Sequence, residues 1–151
     1  MELYSQNYLR LLEGVHNTTT RGFGNKVKKI KAFEACIEKW KPRSLLDYGC
    51  GKGAMLQQLR QKYPHLHCLG YDPAVNIYSQ KPKQKFDVVF CGAIIHWIFS
   101  LTADYRNFNL IISYLIQLTN KLLVIEWIDP NDGAIRQLNH IKIRQKETDE
   151  E

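Results

Sequence analysis

The feature that most constrains the fold is a run of glycines directly behind an apolar segment. The stretch LLDYGCGKGAML occupies residues 45–56, and Gly49, Gly51 and Gly53 fall within five residues of each other. Glycine costs roughly 0.5–1 kcal/mol relative to alanine inside a regular element, so three of them indicate a turn that needs bare backbone. SLLDYG before them is typical of a strand and GAMLQQLRQKY after them of a helix. We therefore predict a strand, a glycine loop and a helix here.

The rest of the chain alternates strands and helices. Further strands are predicted at HCLGYD, FDVVFCGAI and KLLVIEWI, the second of them apolar enough to be covered on both faces. This alternation predicts an α/β fold with a mostly parallel sheet of about five strands flanked by helices. The predicted helices cover residues 4–15, 27–40 (with Phe33, Ile37 and Trp40 on the apolar side), 102–120 (with Tyr105, Phe108, Ile112, Leu115 and Leu118 inward) and 134–143.

Composition excludes several classes of protein. With 151 residues, 44% of them hydrophobic and 24% charged, the chain is expected to form one globular domain. No apolar run approaches the ~20 residues that cross a bilayer, and the N-terminus lacks the pattern of a signal peptide. We therefore expect a cytoplasmic protein with no membrane partner. The four cysteines form no CxxC pair, which predicts free thiols and no metal site.

Two acidic residues indicate which ligand the glycine loop binds. Asp47 precedes the glycines, and Asp72 ends the next predicted strand in LGYDPA. An acid inside the loop repels a pyrophosphate, and the loop matches neither G-x-G-x-x-G nor G-x-x-x-x-G-K-S/T. A carboxylate at the end of the second strand is placed to accept hydrogen bonds from ribose hydroxyls. The pair predicts a nucleoside with a positive centre and no phosphate, a description that S-adenosylmethionine fits.

The ordered set DYGCGKG, YDPA and KP…FDVV, between Ser44 and about Ile135, resembles the class I S-adenosylmethionine-dependent methyltransferases, especially small bacterial and phage-type members. Such proteins have a Rossmann-like sheet. The resemblance implies that Asp47, Gly49 and Gly51 contact the methionine part of S-adenosylmethionine. It also implies that two residues after the third strand line the same end of the cofactor, namely Cys91 and Gly92.

The other implied contacts concern the nucleoside. Asp72 would hold the ribose, Pro73 would shape the loop beside the adenine, and Cys50 would belong to the same cofactor-binding set. His96, in GAIIHWI, is the candidate catalytic base, because an ordinary histidine pKa near 6.5 suits proton transfer at neutral pH. Packing beside Trp97 is its alternative role. Glu126, at the end of the last predicted strand, is a second candidate polar group of the site, also at the carboxyl edge of the sheet.

Two departures from the family pattern limit this prediction. Many relatives carry a segment like DVLEH where this chain has GAIIHWI, and the missing acids argue against a carboxylate- or metal-assisted mechanism. The usual fold also closes its sheet with an antiparallel hairpin, whereas no strand pattern follows Ile128. We therefore expect a sheet that lacks the usual C-terminal hairpin. Because exposed sheet edges invite pairing, we predict a homo-oligomer or a partner subunit at this edge.

Charge is unevenly distributed along the chain. Four of the last five residues are acidic, and residues 1–146 carry a net charge of +10 from 21 basic and 11 acidic side chains. The basic clusters indicate either a nucleic-acid surface or solvated faces. The single domain is divided into N-terminal helices and a lid loop over 1–43, a Rossmann-like cofactor-binding core over 44–146 and a disordered acidic tail over 147–151.

Three functions are compatible with these residues. The favoured one is methyl transfer to a small-molecule or polar macromolecular acceptor. A nucleic-acid acceptor is permitted by the basic clusters but not favoured, because no N/D-P-P-Y/F motif follows FDVVFC to grip an exocyclic amine. The third is an S-adenosylmethionine-binding module or a cofactor-degrading enzyme without methyl transfer, as a subunit of a larger complex.

Overall fold

The computed structural model of the protein describes residues 9–10, 13–14, 17, 30–92, 94–95, 98 and 107–127. The last predicted helix and the acidic tail lie outside these residues, as does the predicted lid loop except for residue 17, which is helical rather than part of a loop. Among the described helices, none has the length and apolar character needed to cross a membrane. In chain order the elements are α1 (Ile30–Trp40), β1 (Ser44–Tyr48), α2 (Ala54–Lys62), β2 (His67–Tyr71), a 3-10 helix (Asn76–Tyr78), β3 (Phe86–Cys91), α3 (Phe108–Gln117) and β4 (Thr119–Ile125).

The strands form one sheet in the order β2-β1-β3-β4, and every pairing is parallel. This confirms the predicted α/β class and parallel sheet. The described residues hold four strands, so the fifth expected strand has no counterpart among them. Since β2 and β3 lie on opposite sides of β1, the chain reverses its direction across the sheet at β1. Open α/β sheets bind ligands at the carboxyl ends of the strands at such a reversal.

Both faces of the sheet are covered, as the apolar third strand predicted. Successive residues of a strand point to opposite faces, and in β1 Leu45 packs into the cluster formed with α1 and α2 while Leu46 packs into the cluster formed with α3. β3 is buried at every position. Burying each such leucine stabilises the fold by about 1.5–3 kcal/mol, so the sheet rather than any helix is the centre of the core.

One buried carboxylate joins three strands at the amino edge of the sheet. Oδ2 of Asp87, in β3, accepts hydrogen bonds from the backbone N–H of Arg43 (2.8 Å) and from Nζ of Lys121 (3.1 Å). The backbone N–H of Asp87 donates to Oγ of Ser44 at 2.9 Å. These bonds, the Arg43 one foremost, lower the pKa of Asp87. They fix the starts of β1, β3 and β4 relative to each other, and therefore also the register of their carboxyl ends.

The helix predicted over 102–120 is shorter than expected at both described ends. Asn107 has an extended backbone, and its side chain accepts a hydrogen bond from the N–H of Asn109 at 2.7 Å, so it is an N-cap and the helix begins at Phe108. Thr119 was predicted to be helical but pairs with Phe86 as the first residue of β4. Pairing with β3 therefore outweighs continuation of the helix.

Two side chains differ from their predicted burial. In α3, Ile111 is fully buried and Ile112 only partly so, because Ile111 lies one helical turn before the buried Leu115. In α1, Phe33 is buried as predicted, but Trp40 is 48% exposed. Trp40 is the last residue of that helix, and Lys41 after it has a φ of 42°, so the chain turns away before the indole reaches the sheet.

Candidate functional site

The glycine loop after β1 has a backbone that other residues adopt only with strain. Gly49, Gly51 and Gly53 have φ angles of 85°, 54° and 75°, in the left-handed region that costs a residue with a Cβ about 1–2 kcal/mol. Space is limiting as well, because a Cβ at Gly49 would collide with the Ile94 side chain and one at Gly53 with the Tyr78 hydroxyl. The sequence prediction that this loop needs bare backbone agrees with both observations.

Backbone hydrogen bonds attach the glycine loop to the end of β2. The N–H groups of Gly49 and Cys50 both donate to the carbonyl of Tyr71, at 2.7 and 3.2 Å. The N–H of Gly53 donates to the carbonyl of Cys50 at 3.0 Å and closes the turn from which α2 begins. The loop is therefore a fixed surface over the carboxyl ends of β1 and β2.

Asp72 lies against this loop, immediately after β2. It is 6% exposed; its Oδ2 accepts a hydrogen bond from the N–H of Gly51 at 2.9 Å and its Oδ1 one from the N–H of Ala74 at 3.0 Å. The backbone N–H of Asp72 donates to the carbonyl of Tyr78 at 3.0 Å, so the 3-10 helix folds back beside it. These bonds fix the orientation of a carboxylate whose oxygens can each accept more than one hydrogen bond. Pro73 follows, partly buried.

Asp47 is the second acid at this edge, and its surroundings disfavour its ionised form. It lies in β1, one residue before the strand ends, and is 4% exposed. Burial, and secondarily the charge of Asp72, raises the pKa of Asp47 to about 7. Two carboxylates thus share one edge of the sheet, and a cationic ligand there would favour the ionised form of both.

Two buried thiols line the same edge without being reactive. Cys91 ends β3 opposite Tyr48 of β1, and burial, followed by the charge of Asp47, raises the pKa of Cys91 to about 12. Burial and the same acids raise the pKa of Cys50, whose Sγ donates to the carbonyl of Gly51 at 3.6 Å. Both side chains are therefore neutral thiols that shape the site, since a nucleophilic cysteine needs a lowered pKa.

The carboxyl ends of β3 and β4 add a carboxylate and an aromatic pair. The N–H of Glu126 donates to the carbonyl of Cys91 at 3.0 Å, and Oε2 of Glu126 would lie 3.7 Å from a Cβ placed on Gly92. Beside it, the Trp127 and Phe108 rings pack with centroids 5.1 Å apart. Trp127 is nevertheless 57% exposed, so an apolar surface remains open next to a partly buried acid.

Most of the predicted site residues converge, and two contacts were not anticipated. The residues predicted to bind the cofactor lie at the ends of β1, β2 and β3. His96 lies outside the described residues, and its role stays a prediction. Ile94 and Tyr78, which close over the glycine loop, were missed. Nothing in the periodicity of the chain marks them, because their role depends on where two irregular segments return to the loop.

The comparison with protein families identifies the class of protein that this fold and site define. Residues 24–142 match the model of a family described as a methyltransferase domain. This match covers well over half of the chain, so the chain belongs to that methyltransferase family. The resemblance to class I S-adenosylmethionine-dependent methyltransferases, inferred from the glycine loop and the two acids, is thereby confirmed at the level of the family.

Two individual proteins are similar to parts of this chain. Malonyl-(acyl-carrier protein) O-methyltransferase of Legionella pneumophila is 29% identical over 90 residues, which cover 45% of this chain and 32% of that protein. The plantazolicin methyltransferase BpumL, in a crystal structure with a triazolic desmethylPZN analog and SAH, aligns with a TM-score of 0.50 at 18% identity, over 77% of this chain and 51% of that one. At this identity the second likeness supports the fold alone. The chain spans about a third to a half of the length of these two proteins.

Proposed function

We propose that the protein is an S-adenosylmethionine-dependent methyltransferase that binds its cofactor across the carboxyl ends of β1 and β2. The observation that carries this proposal is the 2.9 Å hydrogen bond from the N–H of Gly51 to Asp72, which joins the glycine loop to the acid after β2. The site fits the cofactor in two respects. The glycine loop presents backbone in a left-handed conformation that a side chain would strain, and the two carboxylates suit a ligand with cationic groups.

The roles of the residues follow from their positions. Asp72, held by two backbone N–H groups, accepts hydrogen bonds from the ribose hydroxyls, and Pro73 bounds the adenine. Asp47 balances positive charge at the methionine end, where Cys91 and Gly92 supply neutral surface. These assignments are supported by burial and by the hydrogen bonds of the described residues, and His96 is proposed as the base from its sequence position.

S-adenosylmethionine, when bound, supplies a sulfonium methyl group that an acceptor lone pair takes while the sulfur keeps the bonding electron pair. The protein contributes by holding the acceptor in line, and positioning of this kind reaches effective molarities of about 10⁵–10⁸ M. The proposed acceptor is a small molecule or a polar macromolecule. The similar Legionella protein supports that range, since it is named for a malonyl group on an acyl-carrier protein.

We also propose a cytoplasmic location and a partner at the outer edge of β4. All four cysteines are free thiols, which suits a reducing compartment. The apolar residues of β4 are only partly buried, in contrast with those of β3, so a second copy or a partner subunit would cover surface there. Light scattering at micromolar concentration tests this part, and a monomer would contradict it.

The proposed cofactor site is tested by isothermal titration with S-adenosylmethionine and with its demethylated product. Asp72→Ala removes charge-assisted hydrogen bonds worth about 1.5–3 kcal/mol, so its affinity should fall roughly ten- to hundredfold. Asp72→Asn keeps the size of the side chain and controls for folding. Glu38→Gln, an exposed acid on α1, should leave binding unchanged. Unaltered affinity in both Asp72 variants would refute the placement.

Incubating the protein with S-adenosylmethionine and no acceptor separates the alternatives. A methyltransferase leaves the cofactor intact until an acceptor is added. Breakdown in the absence of an acceptor would instead identify a cofactor-degrading enzyme. Binding with neither transfer nor breakdown, across a panel of acceptors, would identify a binding module.

A further inference from the structure

The strand order divides the carboxyl edge of the sheet into a cofactor side and an acceptor side. Neighbouring strands lie about 4.8 Å apart, so β4 is separated from β2 by three spacings, or about 14 Å. This inference rests on the proposed function, in which the cofactor occupies the ends of β2 and β1, where Asp72 and the glycine loop lie. The ends of β3 and β4 are then the part of the edge that faces the molecule to be methylated.

A carboxylate is fixed at that position. The backbone hydrogen bond from Glu126 to the carbonyl of Cys91, at 3.0 Å, holds the residue at the end of β3 as well as of β4. Its Oε2 lies over Gly92, within 3.7 Å of the position a Cβ would take. A Cβ on Gly92 would come within 2.7 Å of the Phe90 ring, so the glycine lets that ring and the carboxylate approach the same backbone. Glu126 itself is only partly buried, so part of it reaches the surface.

An exposed apolar surface adjoins the carboxylate. Trp127 follows Glu126 directly in the chain, and its exposed indole rests on Phe108 at the start of α3. Exposed aromatic surface of this kind binds flat apolar groups well, since aromatic rings gain both buried area and ring-to-ring contact. The site therefore combines one carboxylate with one exposed aromatic surface.

We propose that Glu126 binds the methyl acceptor, and that the acceptor carries a protonated nitrogen, as an amine or guanidine, next to an apolar or aromatic group that packs on Trp127. A nitrogen cation donates a charge-assisted hydrogen bond to the carboxylate, whereas an acceptor with a free carboxylate would meet Glu126 together with Asp47 and Asp72 on the same edge. The proposal thus separates this chain from a methyltransferase whose acceptor is a malonyl carboxylate.

Two probes with the same ring test the assignment by binding alone. The full chain is saturated with SAH, and 2-phenylethylamine and 3-phenylpropanoate are titrated by calorimetry. The amine should bind roughly tenfold or more tightly than the acid, as expected for one charge-assisted hydrogen bond. Glu126→Gln should bring the ratio close to one, and Glu126→Asp should keep its sign. Glu38→Gln, on α1 away from this edge, should leave the ratio unchanged.

Each outcome decides a separate point. If SAH itself does not bind, the proposed function fails before the acceptor is considered. If SAH binds but the amine does not, or the acid binds as tightly as the amine, the acceptor assignment is overturned. It is also overturned if Glu126→Gln keeps the full preference. Trp127→Ala should weaken both probes by similar factors, and unchanged affinities would remove the aromatic part of the assignment.

Discussion

Replacing Asp47 by asparagine should stabilise the protein in the absence of cofactor, by an amount that grows with pH. The substitution keeps the shape of the side chain and removes a charge that burial and Asp72 oppose. In the unfolded chain the same carboxyl ionises near pH 4. The wild-type protein therefore bears the cost of a buried carboxylate at neutral pH, and the variant does not.

The size and sign of the effect follow from the two pKa values of Asp47. The pKa rises from 3.8 to about 7 on folding, and each pH unit of difference corresponds to about 1.4 kcal/mol, so the full cost is about 4 kcal/mol. Between about pH 4 and pH 7 the folded state binds more protons than the unfolded state, and its stability therefore falls as the pH rises. Above about pH 7 both states are ionised and the cost stays constant.

Urea denaturation of both proteins at pH 5 and pH 8, without cofactor, measures this effect directly. The difference in the free energy of unfolding between Asp47→Asn and wild type should be about 2–3 kcal/mol larger at pH 8, because about two pH units of the interval lie below the folded pKa. Glu38→Gln removes an exposed acid and should change by less than about 0.5 kcal/mol at either pH. If the difference in the free energy of unfolding between Asp47→Asn and wild type did not change with pH, the raised pKa of Asp47 would be refuted.

Two further predictions concern the loop and the opposite edge. Gly49→Ala should lower the melting temperature by several degrees, because its φ of 85° and the Ile94 side chain both oppose a Cβ. Gly14→Ala is the control, because a Cβ added there would meet no atom of another segment within 4 Å, and equal shifts would contradict the reasoning. Asp87→Asn should cost about 1.5–3 kcal/mol at pH 7. Its lowered pKa means that this loss shrinks as the pH falls through that pKa, and urea titrations showing a constant loss down to pH 2 would argue against the paired carboxylate that includes Lys121.

The parts of the fold that the sequence predicts are those that depend on local pattern. The glycine loop is identifiable because glycine adopts the positive φ angles of Gly49 and Gly53 without strain. β3 is identifiable because a strand buried on both faces has no polar alternation. Asp47 and Asp72 could be placed at one edge because parallel strands end on the same side. None of these inferences needs to know which strands are neighbours.

The parts that were missed depend on packing between distant segments. Tyr78 reaches Gly53 because the 3-10 helix folds back onto Asp72, and no periodicity encodes that return. Thr119 leaves its predicted helix because Phe86 offers it a strand partner. The approach of Glu126 to Gly92 requires β4 to lie next to β3, and the order of strands in a sheet is set by the whole chain.

A comparison of two carboxylates of one sheet supports the proposed ligand site at its carboxyl edge. Asp87, at the amino edge, is as buried as Asp47, yet its pKa is lowered because a backbone N–H and a lysine supply positive partners. Asp47 has its pKa raised because burial and a second acid dominate its surroundings. At the amino end of the strands, the charge of Asp87 is therefore balanced by groups of the protein itself, and the same hydrogen bonds fix the register of the strands. At the other end, a cation brought by the proposed ligand would favour the ionised form of Asp47.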